Sequence, residues 1–191
     1  MDDYSIMRDV NQRIATRVRA LRAKRGLSLE ALASRSAVSR AMISRVERGE
    51  TSPTAVLLEK IATGLGCTLS SLFEESTAGN NPVSRGPDRT TWQDPQSGYR
   101  RRNISPAGFP SPIRIVDVHF PAGATVAFET GARDTVVAQQ IWILEGAIEV
   151  SFGDQVHKLG ADDCLAMKLD VPVTFRNRTR KEARYVVVLA S

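Results

Sequence analysis

The chain has 191 residues, 42% hydrophobic and 25% charged, which is enough for one large or two small globular domains. Its net charge of +5 is uneven: eleven Lys or Arg face three acids between Arg8 and Arg48, whereas Ile113 to Ser191 carries nine basic and ten acidic residues. No apolar run approaches the ~18 residues needed to span a bilayer, which argues against a membrane partner, and Met1-Asp2-Asp3-Tyr4 lacks the features of a secretory signal. Cys67 and Cys164 form no CxxC and no disulfide framework. Both are expected to be small buried residues of a reducing, cytoplasmic compartment. The basic excess in the N-terminal third fits a polyanion-binding module joined to a neutral one, although a solvated helical face is the plainer reading of charge alone.

From about Val10 to Glu75 the pattern is helical. Ile14, Val18 and Leu21 recur at helical spacing, and Gly26 stops that helix after Lys24-Arg25. Ser28 is placed to cap a second helix. A third helix starts near Ser39. Thr51-Ser52-Pro53-Thr54 opens a fourth, with Leu57, Leu58, Ile61 and Leu65 as its stripe, and a short fifth helix is expected over Leu69 to Phe73.

Residues 76–91 are polar and rich in Gly and Pro, and are expected to be a flexible linker. Trp92 to Pro112 combines aromatic anchors with the run Arg100-Arg101-Arg102 and reads as a strand or arm packed on the last domain. From Ile113 onward, short β-branched runs alternate with turns such as Glu145-Gly146 and Gly153-Asp154, which predicts a sandwich or small barrel. The division is thus a helical domain over 8–75, a linker, and a β domain with an N-terminal arm over 92–191.

The second and third helices are separated by a tight turn at Ala37-Val38, the arrangement that places one helix in the major groove of DNA. Ile43 and Val46 are spaced to bury the third helix, which leaves Ser39, Arg40, Ala41, Met42 and Arg45 outward. Arg40 can address guanine O6 and N7, Ala41 and Met42 can touch thymine methyls, and Ser28 and Ser39 suit phosphate oxygens.

The segment Arg13 to Phe73 resembles the helix-turn-helix domain of the phage-repressor-like (Xre) family. The resemblance is carried by Leu21-Arg22, Gly26-Leu27-Ser28, Leu32-Ala33, Val38-Ser39, Ile43-Ser44, Glu47-Arg48-Gly49 and Ile61-Ala62. It implies base contacts from Arg40, Ala41 and Arg45. It also implies phosphate contacts from Ser28, Ser39 and the loop that starts at Arg48, and a structural Arg22–Glu47 salt bridge.

The β region resembles a cupin, a double-stranded β-helix barrel, through Trp142-Ile143-Leu144-Glu145-Gly146 and Leu159-Gly160-Ala161-Asp162-Asp163 followed by Val171-Pro172. Metal-binding cupins take ligands from a His-x-His, a Glu and a further His. Aligned on Gly146 and Pro172, those places hold Arg133-Asp134-Thr135, Gln139 and Val173, which suit a divalent metal poorly. His119 and His157 fall outside both motifs and read as strand surface residues. No metal, cofactor or catalytic residue is therefore expected.

Strand parity points Ile141, Ile143 and Phe175 inward. Arg133, Gln139 and Met167, with Ile141, Val173 and Phe175, are the expected lining of a small effector pocket. The alternative is a barrel filled by its own side chains.

Together the two resemblances imply a helix-turn-helix–cupin transcription regulator. The expected partners are a pseudo-palindromic duplex operator, a second copy of the chain and a small-molecule effector. The competing expectation is a metal-dependent cupin enzyme that kept a helical domain.

Overall fold

The computed structural model describes residues 3–74, 81–129 and 137–190, with side chains from Val10 onward. Helix α1 (Asp3–Lys24) runs further toward the N-terminus than the apolar pattern alone indicated and ends where Gly26 takes φ +63°. Ser28 caps α2 (Leu29–Ser36) by accepting the Ala31 amide at 3.0 Å. Ser39 does the same for α3 (Arg40–Glu47) through Met42, and Thr54 for α4 (Ala55–Gly64) through Leu57.

The expected fifth helix, Leu69–Phe73, is a 3-10 helix rather than an α-helix. It is five residues long, and Thr68 already accepts the Ser71 amide and shares a hydrogen bond with the Ser71 hydroxyl. Short hydroxyl-rich segments satisfy their backbone in tighter turns in this way.

The helices close around Ile14, Val18, Leu32, Ile43, Val46, Leu58, Ile61 and Leu65, all buried. Helices α2 and α4 meet closely at Gly64, where a Cβ would stand 2.7 Å from the Ser36 Cβ. No larger residue fits there without moving one of the two helices.

Among the described residues the β domain has ten strands, all paired antiparallel. They are β1 (Thr91–Gln93), β2 (Arg100–Asn103), β3 (Ile113–Phe120), β4 (Thr125–Phe128), β5 (Ala138–Glu145), β6 (Ala147–Phe152), β7 (Gln155–Gly160), β8 (Cys164–Lys168), β9 (Val173–Arg176) and β10 (Ala183–Ala190). They form two sheets, ordered β1-β2-β3-β10-β5-β8 and β4-β9-β6-β7. Period-two alternation sets the faces: Gln139, Ile141 and Ile143 of β5 are buried between them, while Gln140 and Trp142 face out.

Residues 81–91 of the expected flexible linker are hydrogen-bonded in place. Arg89 donates to Ser84, Thr90 accepts from Arg13 at 2.6 Å, and Thr91 already belongs to β1. Residues 75–80 lie outside the described residues.

The helical and β domains dock directly. Arg17 and Arg114 both pair with Glu74, at 3.2 and 2.8 Å, and Lys60 pairs with Glu129 at 2.8 Å. Phe73 of the helical domain packs on Trp92, with ring centroids 5.3 Å apart. From there the rings continue through Tyr99 and Phe120 to Tyr185 in the β core.

Candidate functional site

Two features carry chemistry: the exposed side of α3 and a cavity where the domains meet. The turn between α2 and α3 is made by Ala37 in the left-handed region, φ +52°, followed by buried Val38. A non-glycine residue tolerates that conformation only at an energetic cost, so the turn is fixed by its surroundings. Ile43 and Val46 then anchor α3, and Ser39, Arg40, Ala41 and Arg45 are exposed. Met42 differs from the expected open face: it is half-buried and packs against the core.

Arg40 Nε lies 2.6 Å from Glu30 Oε1, with both side chains largely in solvent. Arg48 hydrogen-bonds both Glu50 oxygens, at 2.6 and 2.7 Å, and also reaches the Ser44 hydroxyl. Ser28 and Ser39 are exposed helix caps. Each uses its oxygen to accept a helix amide. The Glu30 carboxylate is held below its usual range first by its own backbone hydrogen bond, and the Ser28 hydroxyl also helps to hold it there.

Arg22 behaves differently from these arginines. Its Nε and Nη2 donate to both oxygens of Glu47 at 2.6 and 2.8 Å, and Nη1 donates to the Leu27 carbonyl at 2.9 Å. The Glu47 hydrogen bond raises the Arg22 pKa against the opposing effect of burial. The pair ties α1 to the C-terminal end of α3 and to the loop before α2, so it belongs to the scaffold.

The cavity has a volume of about 80 Å³. Of the expected lining residues, Gln139, Val173 and Phe175 line it. Ile141 and Met167 are buried nearby but are not on its wall, and Met167 accepts the Gln139 amide N–H at 3.7 Å through its sulfur. Arg133 lies outside the described residues.

The charges on the cavity wall are instead Arg101 of β2 and Glu59 of α4, with Ser70 and Tyr99 beside them. Both are buried, at 6% and 5% exposure. Arg101 Nη2 donates to the Ser70 hydroxyl at 2.8 Å, and its guanidinium lies 4.5 Å over the Phe73 ring. Burial pushes the Tyr99 phenol up to about 12, with Arg101 opposing and Asp94 and Glu59 adding. The phenol therefore stays a proton donor at neutral pH.

Neither charge stands out in the sequence, although each carries a signal. Arg101 lies two residues after buried Tyr99, which immediately precedes β2, and Glu59 shares the helical spacing of Ala55 and Ala62.

His119 pairs with Glu182 at 2.9 Å, and His157 stacks on Phe152; neither lines the cavity. Cys164, expected to be buried, is exposed because it points to the outer face of β8 at the sheet edge, opposite Trp142.

The helix-turn-helix family HTH_3 matches residues 18–72. Over 70 residues the chain is 39% identical to the control protein C.MunI of Mycoplasma sp, covering 36% of this chain and 95% of that protein. The chain belongs to the HTH_3 helix-turn-helix family. It is also 26% identical over 174 residues to the HTH-type transcriptional regulator SutR of Escherichia coli (strain K12), spanning 90% of each chain. The similarity extends to structure: an HTH_3 family transcriptional regulator from Vibrio cholerae superposes with a TM-score of 0.77 at 28% identity, covering 96% of this chain and 98% of that one. The two-domain arrangement is thus shared by a solved HTH_3 family member. Among the described residues, no helix is long and apolar enough to cross a membrane.

Proposed function

We propose that the protein is a sequence-specific transcription regulator that binds duplex DNA as a homodimer and responds to a small molecule held by its β domain. The observation that carries this reading is the exposed N-terminal side of α3. It presents Arg40, Ala41 and Arg45 outward from a core fixed by Ile43, Val46 and the Arg22–Glu47 pair. Ser28, Ser39 and Arg48 flank it as phosphate contacts, and Met42 contributes only its exposed part. SutR and the Vibrio cholerae protein, both described as transcriptional regulators, support the same role. Its place of action is the bacterial cytoplasm, where the genomic DNA lies.

Pairing is supported by the outer face of the six-stranded sheet. Trp142 and Ile113 are each nearly half exposed there, at 47% and 48%. Val186 stands beside Trp142 in register, and Cys164 opposite it on β8. A two-fold contact through this face would set two recognition helices about one DNA turn (~34 Å) apart on a pseudo-palindrome.

The β domain reads as a binding module and not as an enzyme. The places the cupin resemblance gives to metal ligands hold Gln139 and Val173, an amide and an aliphatic group, on the wall of the cavity. The cavity, with Gln139, Val173 and Phe175 on its wall and Ile141 and Met167 packed nearby, is the effector site.

The test is selection of genomic fragments retained by the full-length protein at low salt, with its mass measured in solution. A shared palindromic sequence among retained fragments, bound by a dimer, is expected. Retention of no fragment, or retention without sequence preference, overturns the reading.

A further inference from the structure

We infer that the cavity between the β domain and the DNA-binding domain takes a small zwitterion, an α-amino acid with a short apolar side chain. Its wall carries one buried cation and one buried anion, Arg101 and Glu59. Arg101 Nε has no hydrogen-bond partner among the described residues, so one buried N–H still needs an acceptor. Most of the remaining wall is apolar, with Val118, Phe120, Val126, Val173 and Phe175 facing the space, and Thr68, Ser70, Tyr99 and Gln139 add neutral polar groups. A volume of about 80 Å³ gives room for about five to eight non-hydrogen atoms. Glycine, alanine and 2-aminobutyrate fall in that range.

Charge balance selects the class. The two wall charges, Arg101 and Glu59, sum to zero, so a ligand bearing only a carboxylate or only an ammonium would leave a net charge in a buried site. A neutral amide would avoid that cost but give up the charge-assisted bonds. A zwitterion keeps the site neutral, setting its carboxylate against the Arg101 guanidinium and its ammonium against Glu59, whose carboxylate can hold a further donor beside the partner it already has. Glu59 and Ser70 belong to the helical domain and Arg101 to the β domain, so the ligand would touch both. It can then alter DNA affinity through how firmly the two are docked.

This assignment rests on the reading of the chain as an effector-responsive regulator. Ligand binding is therefore measured without DNA, and fragment retention without ligand, so that the two can fail separately. Calorimetry on the full-length protein compares glycine, L-alanine and L-2-aminobutyrate with propionate, propylamine and propionamide. At least one amino acid is expected to bind about tenfold or more tightly than all three analogues. Absence of binding by every amino acid at millimolar concentration, or equal binding of propionate or propionamide, overturns the assignment. In Glu59→Gln, checked for folding by circular dichroism, the advantage of the best amino acid over propionate should disappear. If that variant does not fold, the comparison on the unaltered protein decides alone.

Discussion

Asp94 Oδ1 accepts the backbone amide of Ala55 at 2.8 Å, so a residue of the β domain's arm caps the first turn of a helix in the DNA-binding domain. Its other oxygen holds the Ser97 amide at 2.7 Å and the Ser97 hydroxyl at 2.5 Å, which fixes the carboxylate in place. Asp94→Ala should cost about 1–2 kcal/mol in chemical denaturation, with faster amide exchange concentrated in the first turn of α4. A loss spread evenly over the chain would argue against capping as the role.

Arg40 is the exposed arginine nearest the N-terminal end of the recognition helix, and in the free protein it is held by Glu30. Arg40→Ala should weaken binding to the selected operator by about 1–3 kcal/mol and relax the preference at one base position. Glu30→Ala, which removes the competing carboxylate, should strengthen binding and leave the preference unchanged. Quantitative gel shifts across operator variants measure both. An unaltered base preference in Arg40→Ala would remove it from the reading face.

Glu47 lies on the same helix but faces inward to Arg22. Glu47→Gln should destabilise the helical domain by about 1–3 kcal/mol, since it weakens charged hydrogen bonds in a half-buried place. At a temperature where the variant is fully folded, its operator preference should match the parent protein. Thermal melts paired with gel shifts separate the scaffold role from a base-reading one.

The contrast between Arg40 and Arg22 shows what the sequence discloses. Helix positions, caps at Ser28 and Ser39, and the burial of Ile43 and Val46 follow from spacing and capping chemistry that act within a few residues. The inward set of β5 follows from alternation in the same way. The pairing of Arg101 with Ser70, and the meeting of Glu59 with the β domain's cavity, depend on how two domains dock. No local pattern encodes that docking, so the sequence points to Arg133 for the cavity's charge instead of to Arg101 and Glu59. The linker misled for a related reason. Its Gly and Pro content describes an unbound chain, whereas Ser84, Arg89 and Thr90 find partners once folded.

Asp117 accepts hydrogen bonds from Arg184 at 3.0 Å and Arg102 at 2.8 Å on the outer sheet face. Burial works to raise its pKa, but these bonds outweigh it and hold the carboxyl below the usual range. Glu182 is lowered as well, chiefly by the hydrogen bond with His119 and then by Arg100. Carboxylates lowered in the folded state contribute stability that is present above their unfolded pKa of about 4 and lost as pH falls through the folded value. The melting temperature of the β domain should therefore hold from neutral pH to about pH 5 and fall below about pH 4. Asp117→Asn should lower it at neutral pH and make the acid fall shallower. An unchanged acid profile in that variant would show that other groups set it.

Trp142 stands exposed at the centre of the proposed pairing face, between Val186 and Cys164. Trp142→Glu should leave the melting temperature nearly unchanged, because the side chain is outside the β core. Sedimentation should shift from dimer to monomer, and operator affinity should drop with it. A variant that remains dimeric would place the interface elsewhere.

The rings that run from Phe73 through Trp92, Tyr99 and Phe120 to Tyr185 make the join between the domains a strut and not a tether. Two copies joined through their β domains would then carry their recognition helices like the points of a locked calliper. Such a molecule gauges distance along the duplex as strictly as it reads bases. Two correct half-sites on opposite sides of the helix would count for little more than one.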